Sequence, residues 1–315
     1  VKVHVALTCG TDVKVFRRGY HARMIVPPAV LGHELAGDVV QVGSQVESFR
    51  AGQRVVAANS APCDQCYFCS RGQENLCENL LFNNGAYAEY IRIPGQIVRR
   101  NMYEIPDHIG YQDAALLEPL ACVLRGLEET RLHPGDTMAV IGLGPIGLMF
   151  IRMAKTLDVR VIAVGRRKTQ LDRAARMGAD ELISLETSSN PVEAVTRLTY
   201  RGRGADAAIE AVGAPETWNW AIRMVRSGGS VNLFGGCPTG SEITLDTSLL
   251  HYSEITLKSS FHHTPAHIRR ALEVISRGDI CAADFITGEA PLSDLLGVFH
   301  HMMSRNGHLK TAILP

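Results

Sequence analysis

The sequence has no charge imbalance. Lysine and arginine number 32, aspartate and glutamate also number 32, and the formal net charge is zero. A chain built for nucleic acid or an anionic membrane carries a basic excess or a basic stripe, so neither is expected as its main partner. Long apolar runs are missing too. The longest, Met138 to Ile151, is shorter than the roughly 20 residues of a membrane span, and glycines and Pro145 interrupt it. No stretch reads as a secretory signal peptide. Internal repeats are absent beyond a strand–helix alternation, and so are low-complexity segments. The cysteines do not form a disulfide framework: of eight, four fall within residues 63–77 and the rest are scattered. That is the distribution of a metal cluster in a reducing cytoplasm.

What is present is ordinary globular composition, 46% hydrophobic over 315 residues, for which two domains are the natural expectation. One short stretch stands out. His33 and Glu34 lie side by side between Gly32 and Gly37, followed by Val39, Val40, Val42 and Val46, which read as strand. His33 is then expected at the mouth of a strand or turn, packed tightly enough to need the two glycines. Imidazole is a common zinc ligand, and a neighbouring carboxylate can ligate or tune the metal. A lone pair of this kind is more often a buried, hydrogen-bonded histidine beside a surface glutamate. The remainder of the chain tips the balance toward metal.

Cys63, Cys66, Cys69 and, after seven intervening residues, Cys77 form the strongest metal signal. Four thiolates in a short loop make a closed tetrahedral zinc site with no open position, hence a structural one. A ferredoxin-type run would have a last gap of three and a following proline. Here the gap is longer and Glu78 follows.

The run Gly32-His33-Glu34, two residues, Gly37, five residues, Gly43 resembles the signature of the zinc-containing alcohol dehydrogenases of the medium-chain dehydrogenase/reductase superfamily, and the resemblance extends over essentially the whole chain. It implies an α/β protein: a GroES-like, mostly-β catalytic domain plus a Rossmann domain with a doubly wound parallel sheet. Cys9-Gly10-Thr11-Asp12 resembles the family's first zinc-ligand motif. By that match Cys9 and His33 are ligands of a catalytic zinc, Thr11 touches the substrate oxygen and carries its proton away, and Asp12 orients His33. The lobe at 60–80 resembles the structural-zinc loop, which makes two zincs per chain. Many relatives have a histidine where this chain has Lys14, so the exit of the proton relay differs. Asn83 to Tyr90 resembles a framework run that turns into a strand. Relatives also carry a few tens of residues before the position of Val1, forming a first hairpin, so the chain is expected to lack its start.

Glu118 sits in an otherwise apolar run, Ala114 to Cys122. A buried carboxylate is costly unless paired or on a metal, and Pro119 is expected to push Glu118 out of helical geometry. In the polyol-type branch, a Glu-Pro-Leu stretch brings the third acidic group to the catalytic zinc, which points to a sorbitol- or threonine-dehydrogenase-like site. Glu34 is the alternative ligand, and the two can exchange. Cys122 reads as packing. His262-His263 and His300-His301 lack flanking ligands and read as turn, cleft-wall or helix-surface residues.

From Thr137 the pattern becomes strand, glycine turn, helix. Gly142-Leu143-Gly144-Pro145-Ile146-Gly147 lies between a buried strand and a helix, the context that makes GxGxxG a dinucleotide fingerprint. Strands are expected at 137–141, 159–165, 181–185, 205–212, 230–234 and 255–260, a βαβ rhythm. Val212-Gly213 and Gly235-Gly236 end two of them, and by resemblance line the nicotinamide. Where an NAD-binding fold places Asp or Glu at the end of the second strand, this chain has Gly165, then Arg166, Arg167 and Lys168. Guanidinium groups suit a 2′-phosphate, so NADP is expected over NAD.

The reading is a cytoplasmic zinc-dependent oxidoreductase moving a hydride between an alcohol or polyol and NADP, with residues 1–119 and 283–315 catalytic and 120–282 binding the dinucleotide. The resemblance also implies a homo-oligomer, dimer or tetramer. The rivals are a non-catalytic relative that keeps the fold, and a zinc-free quinone or enoyl reductase, which would lack the four-cysteine lobe.

Overall fold

A computed structural model describes residues 1–19, 24–25, 28–304 and 308–315. The chain divides into two compact units, residues 1–121 with 262–315, and residues 122–261. The first begins with β1 (Lys2–Leu7), α1 (Gly10–Arg18), β2 (Glu34–Asp38), β3 (Arg54–Ala57), β4 (Ser60–Ala61), β5 (Leu81–Phe82), α2 (Gly95–Asn101), β6 (Met102–Glu104) and α3 (Tyr111–Ala114). α4 (Leu117–Thr130) carries the chain into the second unit. There β7 (Thr137–Ile141), α5 (Pro145–Lys155), β8 (Arg160–Gly165), α6 (Lys168–Arg176), β9 (Glu181–Ser184), β10 (Ala205–Glu210), β11 (Val225–Leu233) and β12 (Thr256–Lys258) follow. The return supplies β13 (Ile286–Pro291) and β14 (Lys310–Leu314).

In the first unit, β1 is the middle of a mixed sheet ordered β13-β14-β1-β2-β3-β6. Only the β13–β14 pair is parallel. Leu7 lies opposite Glu34 on one side and Ala312 on the other, so both neighbouring strands bring side chains to the end of β1, where Thr8 and Cys9 begin. Gly37 is needed where β2 crosses β1: a Cβ there would lie 2.0 Å from the Lys2 carbonyl oxygen. Val3, Ala6, Leu35, Tyr87, Phe299 and Ile313 pack one core of this unit, and Val39, Val55, Ile97 and Met102 belong to another.

The second unit is a six-stranded, all-parallel sheet ordered β12-β11-β10-β7-β8-β9. From β7 the chain winds outward through β8 and β9, then returns to β10 and winds the other way. The order reverses between β7 and β10, the place where such sheets bind ligands at their carboxyl ends. Ala139, Ile141, Ile162, Val164, Ala208 and Val231 are buried in its core, as a sheet covered on both faces requires.

Several elements differ from expectation for physical reasons. The valine run after Asp38 is not strand: Val39 still exchanges backbone bonds with Gln53 and Gly52, but Val40 and Val42 are exposed, and β-branched side chains alone do not supply a ladder partner. Residues 83–90 form a loop, joined to β1 by a bridge from Lys2 to Tyr90 and tied by backbone bonds to Leu31, Gly32 and Asn59. Residues 98–101 complete α2. Glu118 is helical, because Pro119 stands in the first turn of α4, where a missing N–H costs nothing. The chain returns to the first unit at His262, not at 283, and the helix Pro265–Ser276 packs on α2 and α3.

One buried ion pair ties β14 to β2. Lys310 Nζ lies 2.6 and 2.5 Å from the two Glu34 carboxylate oxygens and donates to the Thr8 carbonyl at 3.1 Å. Both side chains are almost wholly buried. Burial pushes Glu34 above the usual carboxylate range against the pull of Lys310; Lys310 is raised despite burial by the charge of Glu34. Contact through both oxygens marks the pair as ionic. Lys310→Met strands a buried carboxylate, and the expected loss is about 3–5 kcal/mol in urea unfolding of the metal-replete protein, with Lys310→Arg losing less. A loss below about 1 kcal/mol would mean that Glu34 has another cation to turn to.

Candidate functional site

The end of β1 and the start of β2 bring three ligand types together. Cys9 is the N-cap of α1, and its sulfur accepts from the Thr11 N–H at 3.5 Å. His33 precedes β2 and Glu34 opens it. Ligand atoms of Cys9, His33 and Glu34 all lie within 4.8 Å of one another. Thr11 is half-buried in the first turn of α1, and Lys14 is exposed on the same helix.

Asp12, in the first turn of α1, is fully buried. Its Oδ1 is 3.2 Å from His33 Nδ1 and accepts from the Gly32 N–H at 3.3 Å; its Oδ2 accepts from the Tyr87 hydroxyl at 2.9 Å. Burial alone would raise the Asp12 carboxyl, yet the charge of His33 and the bonds from His33, Tyr87 and Gly32 hold it below the usual range. Burial alone would depress His33, but the Asp12 and Cys9 charges lift it well above 6.5. With Nδ1 engaged by Asp12, Nε2 is the nitrogen left for a metal, the usual arrangement behind a ligating histidine. Cysteine, histidine and a carboxylate are a donor set that zinc accepts with a fourth position open.

Glu118 is buried but outside that trio. Its Oε1 lies 4.0 Å from His263 Nε2. His262 and His263 are both buried; the first is 2.5 Å from Ser60 Oγ, the second 3.4 Å from Asn59 Oδ1. They sit inside the first unit, and His262 holds a left-handed φ of 67°.

The sulfurs of Cys63, Cys66, Cys69 and Cys77 all lie within 4.8 Å of one another. Cys66 is 3.5 Å from Cys69 and 3.8 Å from Cys77. A zinc–sulfur distance of about 2.3 Å implies tetrahedron edges of about 3.8 Å, so this cage fits the ion. Backbone N–H groups, that of Cys69 first, pull the Cys66 thiol down to about 6, whereas burial pushes Cys69 up to about 12. A divalent cation would remove that conflict by holding all four as thiolates.

In the second unit, β7 runs into Gly142, Gly144 and Gly147, with Pro145 and Ile146 opening α5. A Cβ on Gly147 would lie 1.9 Å from the Gly142 carbonyl oxygen, whereas nothing lies within 4 Å of one on Gly144. One glycine is demanded by packing, and the other leaves the N-terminus of α5 open to a pyrophosphate. Gly165 ends β8, Arg166 is exposed after it, and Arg167 caps α6. Gly213 and Gly235 touch: a Cβ on Gly235 would lie 2.4 Å from the Gly213 nitrogen. Val212, expected inside a strand, is half-exposed just beyond it.

Three residues escaped sequence reading. Lys310 and Tyr87 meet the cluster around Cys9, His33 and Glu34 from far along the chain. Glu210 ends β10 fully buried and accepts from the N–H groups of Val212 (2.9 Å) and Gly213 (3.0 Å) and from the Thr217 hydroxyl (2.7 Å). Burial raises its carboxyl. A lone acid closing an apolar strand just before Gly213 was the available signal.

Residues 1–107 match the alcohol dehydrogenase GroES-like domain, and residues 145–277 match the zinc-binding dehydrogenase domain. Sorbitol dehydrogenase of Bacillus subtilis is 29% identical over 323 residues, covering 100% of this chain and 89% of that one. D-xylulose reductase A of Aspergillus niger is 32% identical over 324 residues, covering 99% and 88%. Among solved structures, a zinc-binding dehydrogenase from Sinorhizobium meliloti 1021 with NADP bound superposes with a TM-score of 0.90 at 30% identity, covering 100% and 91%. With likeness over its whole length and both domain types in place, the chain belongs to the zinc-binding alcohol dehydrogenase family, in the medium-chain dehydrogenase/reductase superfamily.

Proposed function

We propose that this chain is a two-zinc, NADP-preferring dehydrogenase of small secondary alcohols of the polyol type. The observation that carries the reading is the convergence of Cys9, His33 and Glu34, with Asp12 locked behind His33. When bound, zinc supplies Lewis acidity toward the substrate oxygen and the dinucleotide supplies the hydride-accepting ring. Cys9 and His33 hold the metal. Because Lys310 engages both oxygens of Glu34, the third ligand place alternates between Glu34 and Glu118. The Thr11 hydroxyl takes the substrate proton. Cys63, Cys66, Cys69 and Cys77 hold the second zinc, which stiffens the lobe and does no chemistry. The names of the sorbitol and xylulose enzymes support a polyhydroxylated substrate. The described cysteines form no disulfide, which accords with a reducing cytoplasm. Among the described residues no helix is long and apolar enough to cross a membrane. A homo-oligomer remains part of the proposal on the family resemblance.

The coenzyme reading rests on residues at the end of β8. No carboxylate follows Val164 to bind a ribose 2′-hydroxyl or repel a 2′-phosphate; Gly165, Arg166 and Arg167 stand there instead. A Cβ on Gly165 would meet Leu143 Cδ1 at 2.5 Å, so a side chain at 165 has to displace the tip of Leu143.

Two results are expected. Metal analysis of the replete protein finds two zincs per chain. Cys66→Ser loses one and lowers thermal stability. His33→Ala loses the other and abolishes turnover while dinucleotide binding persists. Near-normal turnover in His33→Ala would defeat the mechanism. Second, each charge-assisted phosphate contact is worth roughly 1.5–3 kcal/mol, so kcat/KM should favour NADP by about tenfold to a hundredfold. Gly165→Asp with Arg166→Leu should move that ratio toward NAD. A wild type that favours NAD, or a double variant with an unmoved ratio, would show that these residues do not read the ribose.

A further inference from the structure

Asp12 takes one of its hydrogen bonds from a residue outside both metal-ligand motifs. Tyr87 lies in the loop after β5 and is 4% exposed. Its hydroxyl is 2.9 Å from Asp12 Oδ2 and 3.2 Å from the Leu7 carbonyl oxygen. Its backbone N–H donates to the Leu31 carbonyl at 3.1 Å. Its ring lies on Gly32, where a Cβ would come 2.7 Å from the Tyr87 nitrogen and 2.9 Å from its Cγ. Gly32 has a φ of 93° and donates its own N–H to Asp12 Oδ1. Tyr87 therefore grips the chain one residue before His33 and the carboxylate behind His33 at the same time.

The two Asp12 oxygens have separate duties. Oδ1 serves His33 Nδ1 and Gly32; Oδ2 serves Tyr87. Without the phenol, Oδ2 would be a buried acceptor with no donor, and the carboxylate could turn about its last torsion to share Oδ1's donors. His33 would then lose the fixed ring plane that a ligand needs. Burial, with the Asp12 charge adding to it, holds the Tyr87 phenol well above its usual range, so it remains a donor throughout the working pH range.

We propose that Tyr87 is a positioning residue for the metal ligand His33, acting through Asp12: its O–H fixes the carboxylate, the carboxylate fixes the imidazole, and the catalytic-site metal is held more tightly as a result. This rests on the reading of Cys9 and His33 as metal ligands. Loss of such an outer partner typically costs 10–100-fold in metal affinity.

The test uses the zinc-replete full chain, equilibrated against graded concentrations of a zinc chelator, with bound zinc counted at each step. Wild type should release zinc in two classes, and His33→Ala should remove one of them. Tyr87→Phe keeps the ring on Gly32 and removes only the O–H. It should release the His33-dependent zinc at about 10–100-fold lower free chelator, while the four-cysteine zinc is released as in wild type. A second measurement separates positioning from packing. If Tyr87 acts through Asp12, then adding Tyr87→Phe to Asp12→Asn should weaken zinc no further than Asp12→Asn alone. A wild type with only one zinc class, unaffected by His33→Ala, would remove the ligand reading and this inference with it. Two classes in wild type with an unshifted Tyr87→Phe curve would overturn the Tyr87 role and leave the ligand reading intact. Additive losses in the double variant, or loss of the four-cysteine zinc in Tyr87→Phe, would make Tyr87 a general packing residue and overturn the inference.

Discussion

The contact between Asp12 and His33 is the constraint on which the first unit depends. Both side chains are buried to within 2% of full, in a place where an unpaired charge would be prohibitive. Everything around them supplies compensation. α1 starts where it does so that its first turn carries Asp12 under His33. Gly32 and Tyr87 supply the remaining donors. β1 sits between β14 and β2, so that Lys310 and Glu34 meet across its end as a second buried pair. Two ionic contacts beside one another leave Cys9 Sγ and His33 Nε2 to take a metal in the proposed site, with Glu34, at the cost of a Lys310 contact, or Glu118 in the third place. The site is thus the edge of a buried charge network, and a metal bound there would draw on that organisation.

The second unit solves a different problem with less charge. The core of its sheet is mostly apolar, and the only fully buried carboxylate described there is Glu210. That group clamps Val212 and Gly213 at the end of β10, where the reversal of strand order opens a place for a ligand. Gly142, Gly144 and Gly147 prepare the neighbouring strand end by packing and by leaving space.

Much of this was legible because it is written in short spacings. Cys9 with Asp12, His33 with Glu34, the four cysteines and the glycine turn each lie within a few residues of one another. Strands of the parallel sheet were visible as buried runs bounded by glycine. What was not legible depends on partners far apart in sequence. Lys310 reaches Glu34 across 276 residues, and Tyr87 reaches Asp12 across 75; nothing local to either residue marks it. Boundaries failed where propensity and tertiary context disagreed. β2 is built from Glu34, Leu35, Ala36, Gly37 and Asp38, held by neighbours on both sides, while Val40 and Val42 after it are exposed and stay out. Pro119 was read as a helix breaker because its place in the first turn of α4 depends on where α4 begins.

Anomalous diffraction at the zinc edge, from crystals grown with zinc, tests the central claim most directly. The account predicts two zinc peaks per chain. One is ringed by the sulfurs of Cys63, Cys66, Cys69 and Cys77. The other is bonded to Cys9 Sγ and to Nε2 of His33, with Asp12 still on Nδ1. A single peak at the four cysteines, or a His33 ring turned so that Nδ1 faces the metal, would contradict it.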